Sequence, residues 1–314
     1  MSQPVKSLYE MYLSRSDLAE SSVEITGRAV RWFTELFGDI DAEQINYGHA
    51  DDFKAWLAKG RSKSSANTYL RTIKPFFAWL AERRHIEQNP FDKKLRLYVV
   101  GEQKRPLYTP DEIERLFAVA DLRWKVIVAL ALNSMRRGEI LNLVLSDIDF
   151  EKNLILITPK KDTEYTWRWD IKNHNQAYIG LPESVANLLV KLRENLPVKQ
   201  PYITLKPAAY ERNMRLKVAG ELDHRLRKCP WGNFNRDFAM LLKRANVKRR
   251  RFHDLRSVFA TERYRDGYSL KKLQCLLRHS SIQTTARYIK EIEEQKLVAE
   301  SAETFNKHYA SNVP

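Results

Sequence analysis

The stretch "DKKLRLYVVGEQKRP" (92–106) interrupts a helical hydrophobic pattern that runs before it and resumes after it. A basic segment with no period of its own, set between two periodic halves, argues against one continuous core and for two domains joined by a linker. The half before it reads as helices. In "SANTYLRTIKPFFAWLAERRHI" (65–86), Tyr69, Leu70, Ile73, Phe76, Phe77 and Leu80 recur at the spacing that lines one helix face. Arg71, Lys74, Arg83 and Arg84 fall on the other side, a face suited equally to a phosphate backbone and to plain solvation. "QNPF" ends the pattern. Beyond the linker, "TPDE" offers Thr109 as N-cap, Pro110 at the first helical position and Glu112 to close a capping box. Helical patterns follow in "RWKVIVALALNS" and "GEILNLV", then strand-like pieces at 153–158, 165–171 and 176–181. The last two alternate and are joined by "KNHN", a hairpin signal. Pro182 opens another helix, and the remainder reads as helical to about residue 300. The expected fold is mainly α with a small antiparallel β-sheet. Its expected parts are a helical domain (1–92), a linker (93–108), a second domain (109–300) and a tail (301–314).

Charge narrows the partners. Lysine and arginine number 54 against 39 acids, a net charge of +15 with a pI of about 9.7. Such an excess suits a polyanion, because neutralised phosphates release condensed counterions. Cys229 and Cys275 form no C-x-x-C pair and no disulfide framework, which points to a reducing compartment. "MSQPVKSLYEMYLSRSD" lacks an apolar leader, and "VIVALAL" (126–132) is too short to span a bilayer. The expectation is a cytoplasmic, nucleoid-associated protein with no membrane contact. Neither G-x-x-x-x-G-K-[ST] nor H-E-x-x-H occurs, so no metal and no cofactor are expected.

The unusual settings belong to arginine, histidine and tyrosine. In "RRRFHDLRSVFAT" (249–261), a helix starting near Asp254 puts Leu255, Val258 and Phe259 on its apolar side. His253 and Arg256, three apart, share a face. They make either a phosphate clamp or an exposed pair on a basic protein. "KRANVKRRR" (243–251) holds six bases in nine residues with no acid, so Lys248, Arg249, Arg250 and Arg251 are assigned to DNA backbone. Arg136 sits at the junction of two apolar helices, where its charge is partly desolvated. In "SLKKLQCLLRH" (269–279), Ser269 is an N-cap and His279 ends the helix. "SSIQTT" turns, and Tyr288 lies about one turn into the next helix. Taken alone, Tyr288 reads as a core aromatic beside Ile289 and Ile292.

Together, "MRRGEI", "HDLRSVFAT" and "LLRHSSIQTTARYIK" resemble, in order and spacing, the signatures of the tyrosine recombinase (phage integrase) family. Those are an Arg-x-x-Glu motif, His-x-Leu-Arg, and a Leu-Gly-His motif leading to a tyrosine. The resemblance implies catalytic roles for Arg136, His253, Arg256, His279 and Tyr288, with Glu139 in support. It also implies a lysine on a β-hairpin. "IKNHNQAYIGLP" makes Lys172 the choice, with Lys160 and Lys161 of "TPKKD" as competitors. Arg278 stands where the family prefers glycine, and Ser134-Met135 where it prefers Gly-Leu. Ala177 and Gly180 depart from the hairpin motif. Arg71, Lys74 and Arg278 are expected on DNA backbone.

The fold so implied is a SAM-like core-binding domain and a catalytic domain closing on duplex DNA as a C-shaped clamp. The reaction implied is site-specific cutting and rejoining through a 3′-phosphotyrosyl link, integrating or excising a mobile element. The partners implied are double-stranded DNA, a homotetramer on two DNA sites (monomer or weak dimer off DNA), and accessory directionality or DNA-bending proteins. The tail is a candidate for docking onto a neighbouring protomer. A type IB topoisomerase and a non-catalytic DNA-binding protein of the same fold are the rival readings.

Overall fold

Apolar residues at helical spacing build the first part of the chain from α1 (Val5–Ser14), α2 (Glu20–Phe37), α3 (Tyr47–Lys59) and α4 (Lys63–Glu82). The computed structural model describes residues 3–16, 18, 20–101, 106–171, 176–222, 232–286, 288–290, 293, 301 and 303. It divides the chain into two units, Met1–Lys104 and Arg105–Pro314. In the first, five of the six residues predicted for the inward face of α4 (Leu70, Ile73, Phe76, Phe77 and Leu80) are fully buried with Leu8, Phe33, Phe53 and Leu57, and the sixth, Tyr69, is half-buried against them. Phe33 meets both Phe53 and Phe77 edge-on at 5.4 Å, a favoured aromatic geometry.

The segment expected to be linker from residue 93 is bound to this unit as far as Tyr98. Leu95 is buried. The Asn67 amide donates to the Tyr98 carbonyl (2.8 Å) and accepts from its N–H (2.9 Å). The Tyr98 hydroxyl donates to the Lys54 carbonyl. Side chains here satisfy backbone groups that no helix or ladder serves. Lys74 takes part, its ammonium donating to the Asp92 carbonyl at 2.9 Å. It therefore ties down 92–95 rather than standing free for DNA. Burial accordingly lowers its pKa.

The second unit begins with α5 (Pro110–Val119), capped as the sequence predicts. The Thr109 hydroxyl accepts from Glu112 N (3.2 Å), and the Glu112 carboxylate accepts from Thr109 N (3.0 Å). α6 (Leu122–Leu132) is buried along most of its length and leads to the short α7 (Arg137–Leu141). β1 (Ile148–Asp149), β2 (Leu154–Ile157) and β3 (Ala177–Gly180) form an antiparallel sheet in that order, with Ile155 opposite both Ile148 and Ile179. Then come α8 (Glu183–Glu194), α9 (Pro207–Val218), α10 (Phe234–Arg244), α11 (Asp254–Arg265) and α12 (Leu270–Leu277), and residues 282–286 and 288–290 are helical.

One expected pairing is replaced by another. Residues 165–171 do not form a ladder with 176–181. β3 pairs with β2, and the earlier segment makes only a bridge between Lys160 and Trp169. Its alternation is real but serves packing. Trp167 is buried and stacks on Tyr202 at 4.0 Å, and its backbone N–H donates to the Tyr202 hydroxyl. The "KNHN" turn, Lys172 with it, lies outside the described residues, as does the tail except Ser301 and Glu303. Among the described residues no helix is long and apolar enough to cross a membrane.

Candidate active site

The junction between α6 and α7 presents Arg136. Ser134 adopts a left-handed conformation (φ 68°) that turns the chain, and Arg136 becomes the N-cap of α7. Glu139, one turn into that helix, accepts from the Arg136 backbone N–H and from its guanidinium, both at 2.7 Å. Arg136 Nη2 donates to the carbonyls of Leu277 (3.2 Å) and Arg278. The first arginine is thereby locked between its own helix and the end of α12.

Arg256 on α11 reaches the same Leu277 carbonyl as Arg136. It is 1% exposed, and its two terminal nitrogens donate to the carbonyls of Ser134 and Leu277. α12 ends on Arg278, itself left-handed (φ 53°). The side chain of Arg278 folds back onto Glu139 (2.8 Å) and the Ser134 carbonyl (2.9 Å). His279 follows, its Nδ1 paired with the buried Thr285 hydroxyl at 2.9 Å. The ring of Tyr288 stacks on His279 with centroids 5.7 Å apart. Its hydroxyl lies 3.1 Å from His253 Nε2. A cavity of about 260 Å³ beside this cluster is lined by Arg136, Glu139, Lys271, Arg278 and His279, with Ile157 and Ile171 on its apolar side.

Three arginines around one carboxylate set the electrostatics. Burial pushes the Glu139 carboxyl up, but the Arg278 charge, the Arg136 N–H and the Arg136 charge outweigh it and hold Glu139 below the usual carboxylate range. Burial, then the charges of Arg256 and Arg136, lower His279 to about 4. Desolvation, then Arg256 and Arg251, hold His253 below its ordinary value. Both histidines are therefore neutral at physiological pH.

The fold brings Arg136, Glu139, His253, Arg256, His279 and Tyr288 into one cluster. Other assignments change. Arg278, expected against DNA backbone, is turned inward, 13% exposed and ion-paired with Glu139. Arg250 is likewise internal, joined to Glu112 at 2.8 Å with both side chains nearly buried. Its partner lies far away in sequence, which a basic run cannot reveal. Arg251 is exposed but paired with Asp254. Lys248, Arg249 and Arg71 are exposed. Lys160 is buried on Asp147 (2.8 Å) and Thr158, whereas Lys161 is exposed. Ser134 and Thr285 also belong to the cluster, and neither is among the residues the sequence assigns to the site. Thr285 carried a local signal, a polar residue on an otherwise inward helix position three before the tyrosine; Ser134 carried only its departure from the glycine of the resembling family.

The phage integrase family model matches residues 107–295. A XerC-like tyrosine recombinase of Caldanaerobacter subterraneus subsp. tengcongensis is 25% identical over 274 residues, covering 79% of this chain and 67% of its own length. The tyrosine recombinase XerA of Thermococcus kodakarensis is 24% identical over 98% of this chain and 99% of its own length. Among solved structures, the Tn1549 transposon integrase in complex with a circular intermediate DNA shares the fold. Its TM-score is 0.70 and its identity 21%, over 91% of this chain and 95% of its own.

Proposed function

Because the chain belongs to the phage integrase family, we propose that the cluster around Tyr288 cuts and rejoins DNA at specific sites. The observation that carries this reading is the hydrogen bond of the Tyr288 hydroxyl to His253 Nε2, beside Arg136 and Arg256. A phenol with an ordinary pKa near 10 is a poor nucleophile at neutral pH and needs an acceptor for its proton. Neutral His253, with its proton on Nδ1, is that acceptor.

Tyr288 oxygen attacks a phosphodiester. A 3′-phosphotyrosyl bond forms and the bond to the 5′-oxygen breaks. Arg136 supplies charge at the cavity. Arg256, held by two carbonyls beside Arg136, adds positive potential there. Each such preorganised cation is worth about 10²–10³ in rate. Lys172 is the general acid for the departing 5′-oxygen. Lys160 is a poor alternative, since its ammonium is committed to Asp147. The 5′-hydroxyl of a second strand then attacks the phosphotyrosyl bond and returns the phenol, so the bond energy is conserved without ATP.

The helices of Met1–Lys104 act as the core-binding domain, and the two units close on double-stranded DNA as a C-shaped clamp. Four protomers act on two DNA sites, with directionality or DNA-bending proteins as accessories, to integrate or excise a mobile element in the nucleoid. The test is a randomised pool of nicked duplexes, in which a cut releases a short fragment and traps the covalent complex. Wild type accumulates a denaturant-resistant adduct and Tyr288→Phe forms none. An adduct with Tyr288→Phe, or none with wild type, overturns the reading.

A further inference from the structure

We propose that Arg278 is a positioning residue for strand cleavage, a clamp that holds the 134–139 loop so that Arg136 faces the scissile phosphate. The inference rests on the recombinase reading above and goes beyond it.

The geometry is that of a bracket. Nη2 of Arg278 donates both to the Ser134 carbonyl (2.9 Å) and to Glu139 Oε2 (2.8 Å). Those groups lie two residues before Arg136 and three residues after it. Nη1 closes the bracket on its own helix through the Leu276 carbonyl (3.1 Å) and reaches the Ser134 hydroxyl (3.4 Å). The main chain of Arg278 also takes part, its carbonyl accepting from Arg136 Nη2. One residue thus grips the arginine-bearing loop from both ends and receives the guanidinium it presents.

Two left-handed backbones make this possible. Ser134 and Arg278 both have positive φ, a region that favours glycine. The two strained residues touch each other. In glycine's place, Arg278 adds a side chain that spans the gap between α12 and the α6–α7 turn. Glu139 gains a second cation, so its pull on Arg136 is shared. Near-complete burial raises the strength of these contacts relative to a surface pair. The Arg278 side chain is 13% exposed against 25% for Arg136, so of the two guanidiniums that of Arg136 is the more open to a phosphate.

The experiment uses the full chain and a duplex trapped from the nicked pool, in single turnover with protein saturating. Arg278→Gly is expected to slow adduct formation by about tenfold or more, while Kd and its salt dependence stay at wild-type values. Arg278→Lys, which retains the charge on Glu139 but not the fork, recovers part of the rate. In a Glu139→Gln background, the further loss from Arg278→Gly shrinks to less than about threefold, since the path through Glu139 is already cut. A residue with only a structural role would not show this dependence. Circular dichroism of each variant identifies any that fail to fold, and Arg278→Lys then carries the comparison with Glu139→Gln. Wild-type cleavage by Arg278→Gly overturns the inference, as does a loss that follows Kd and the salt slope, or one that adds undiminished to Glu139→Gln. Absence of any adduct with wild type would instead sink the recombinase reading.

Discussion

The ring of Tyr288 packs with Phe259, Leu273 and Ile289 while its hydroxyl reaches His253. The core-aromatic reading describes the ring, and the nucleophile proposed for this chain is the hydroxyl at its other end. Tyr288→Phe should therefore keep the packing, shift stability by less than about 1 kcal/mol and remove the chemistry, which a thermal melt run beside the adduct assay checks. The histidines give a pH prediction. His253 is held below its ordinary value and His279 at about 4, so both stay neutral as pH falls to 6.5 and somewhat below. The acidic limb of the cleavage profile should lie below about 6.5; a limb above pH 7 would show that His253 does not accept the tyrosine proton as the neutral base described. Stability follows the same sign. The unfolded chain takes up protons on these rings before the folded chain does, so their contribution is intact above about 6.5 and is lost as pH falls below it, for His279 toward about 4. Melting temperatures should drop over that window, and His279→Asn should reduce the drop.

At the scale of elements, Glu112 joins two devices. One carboxylate oxygen caps α5 at Thr109, and the other holds Arg250. Glu112→Ala should destabilise the second unit by about 3 kcal/mol or more, since it uncaps a helix and leaves a buried guanidinium unpaired. Urea unfolding measures this, and a loss under about 1 kcal/mol would mean that the pair is not maintained in solution. The same residue shows what the sequence can and cannot reveal. Its capping box is local and legible in "TPDE". Its partner Arg250 lies 138 residues away inside a basic run, where every base looks alike. Lys74 is the same case at shorter range, on a legible helix but bound to a loop carbonyl. For 165–171 the alternation predicted the inward side correctly, but period alone does not choose between a ladder and a tryptophan stacked on Tyr202. α4 was legible even across Pro75, because its buried face outweighs one missing N–H. In the active cluster, the motif spacing gave six residues that the fold brings together. The inward turn of Arg278 was hidden, since it depends on a left-handed backbone at a non-glycine position.

For the molecule as a whole, the net charge of +15 overstates the DNA-facing surface, because Lys74, Lys160, Arg250, Arg256 and Arg278 are held internally. Lys248 and Arg249 remain exposed beside α11. Replacing both with alanine should lower the slope of log affinity against log salt by about 2 and weaken binding evenly across sequences. An unchanged slope in a salt titration would remove that run from the DNA interface. Arg250→Ala should leave the slope alone while lowering stability, which separates the two neighbours in one experiment. The role proposed for Tyr288 depends on where the covalent bond forms. Digesting the trapped adduct and sequencing its nucleotide-bearing peptide by mass spectrometry tests this directly. The expected result is a phosphodiester link at Tyr288 to the 3′ end, with a free 5′-hydroxyl on the released strand. A link at any other residue, or a 5′-phosphate on that strand, would contradict it.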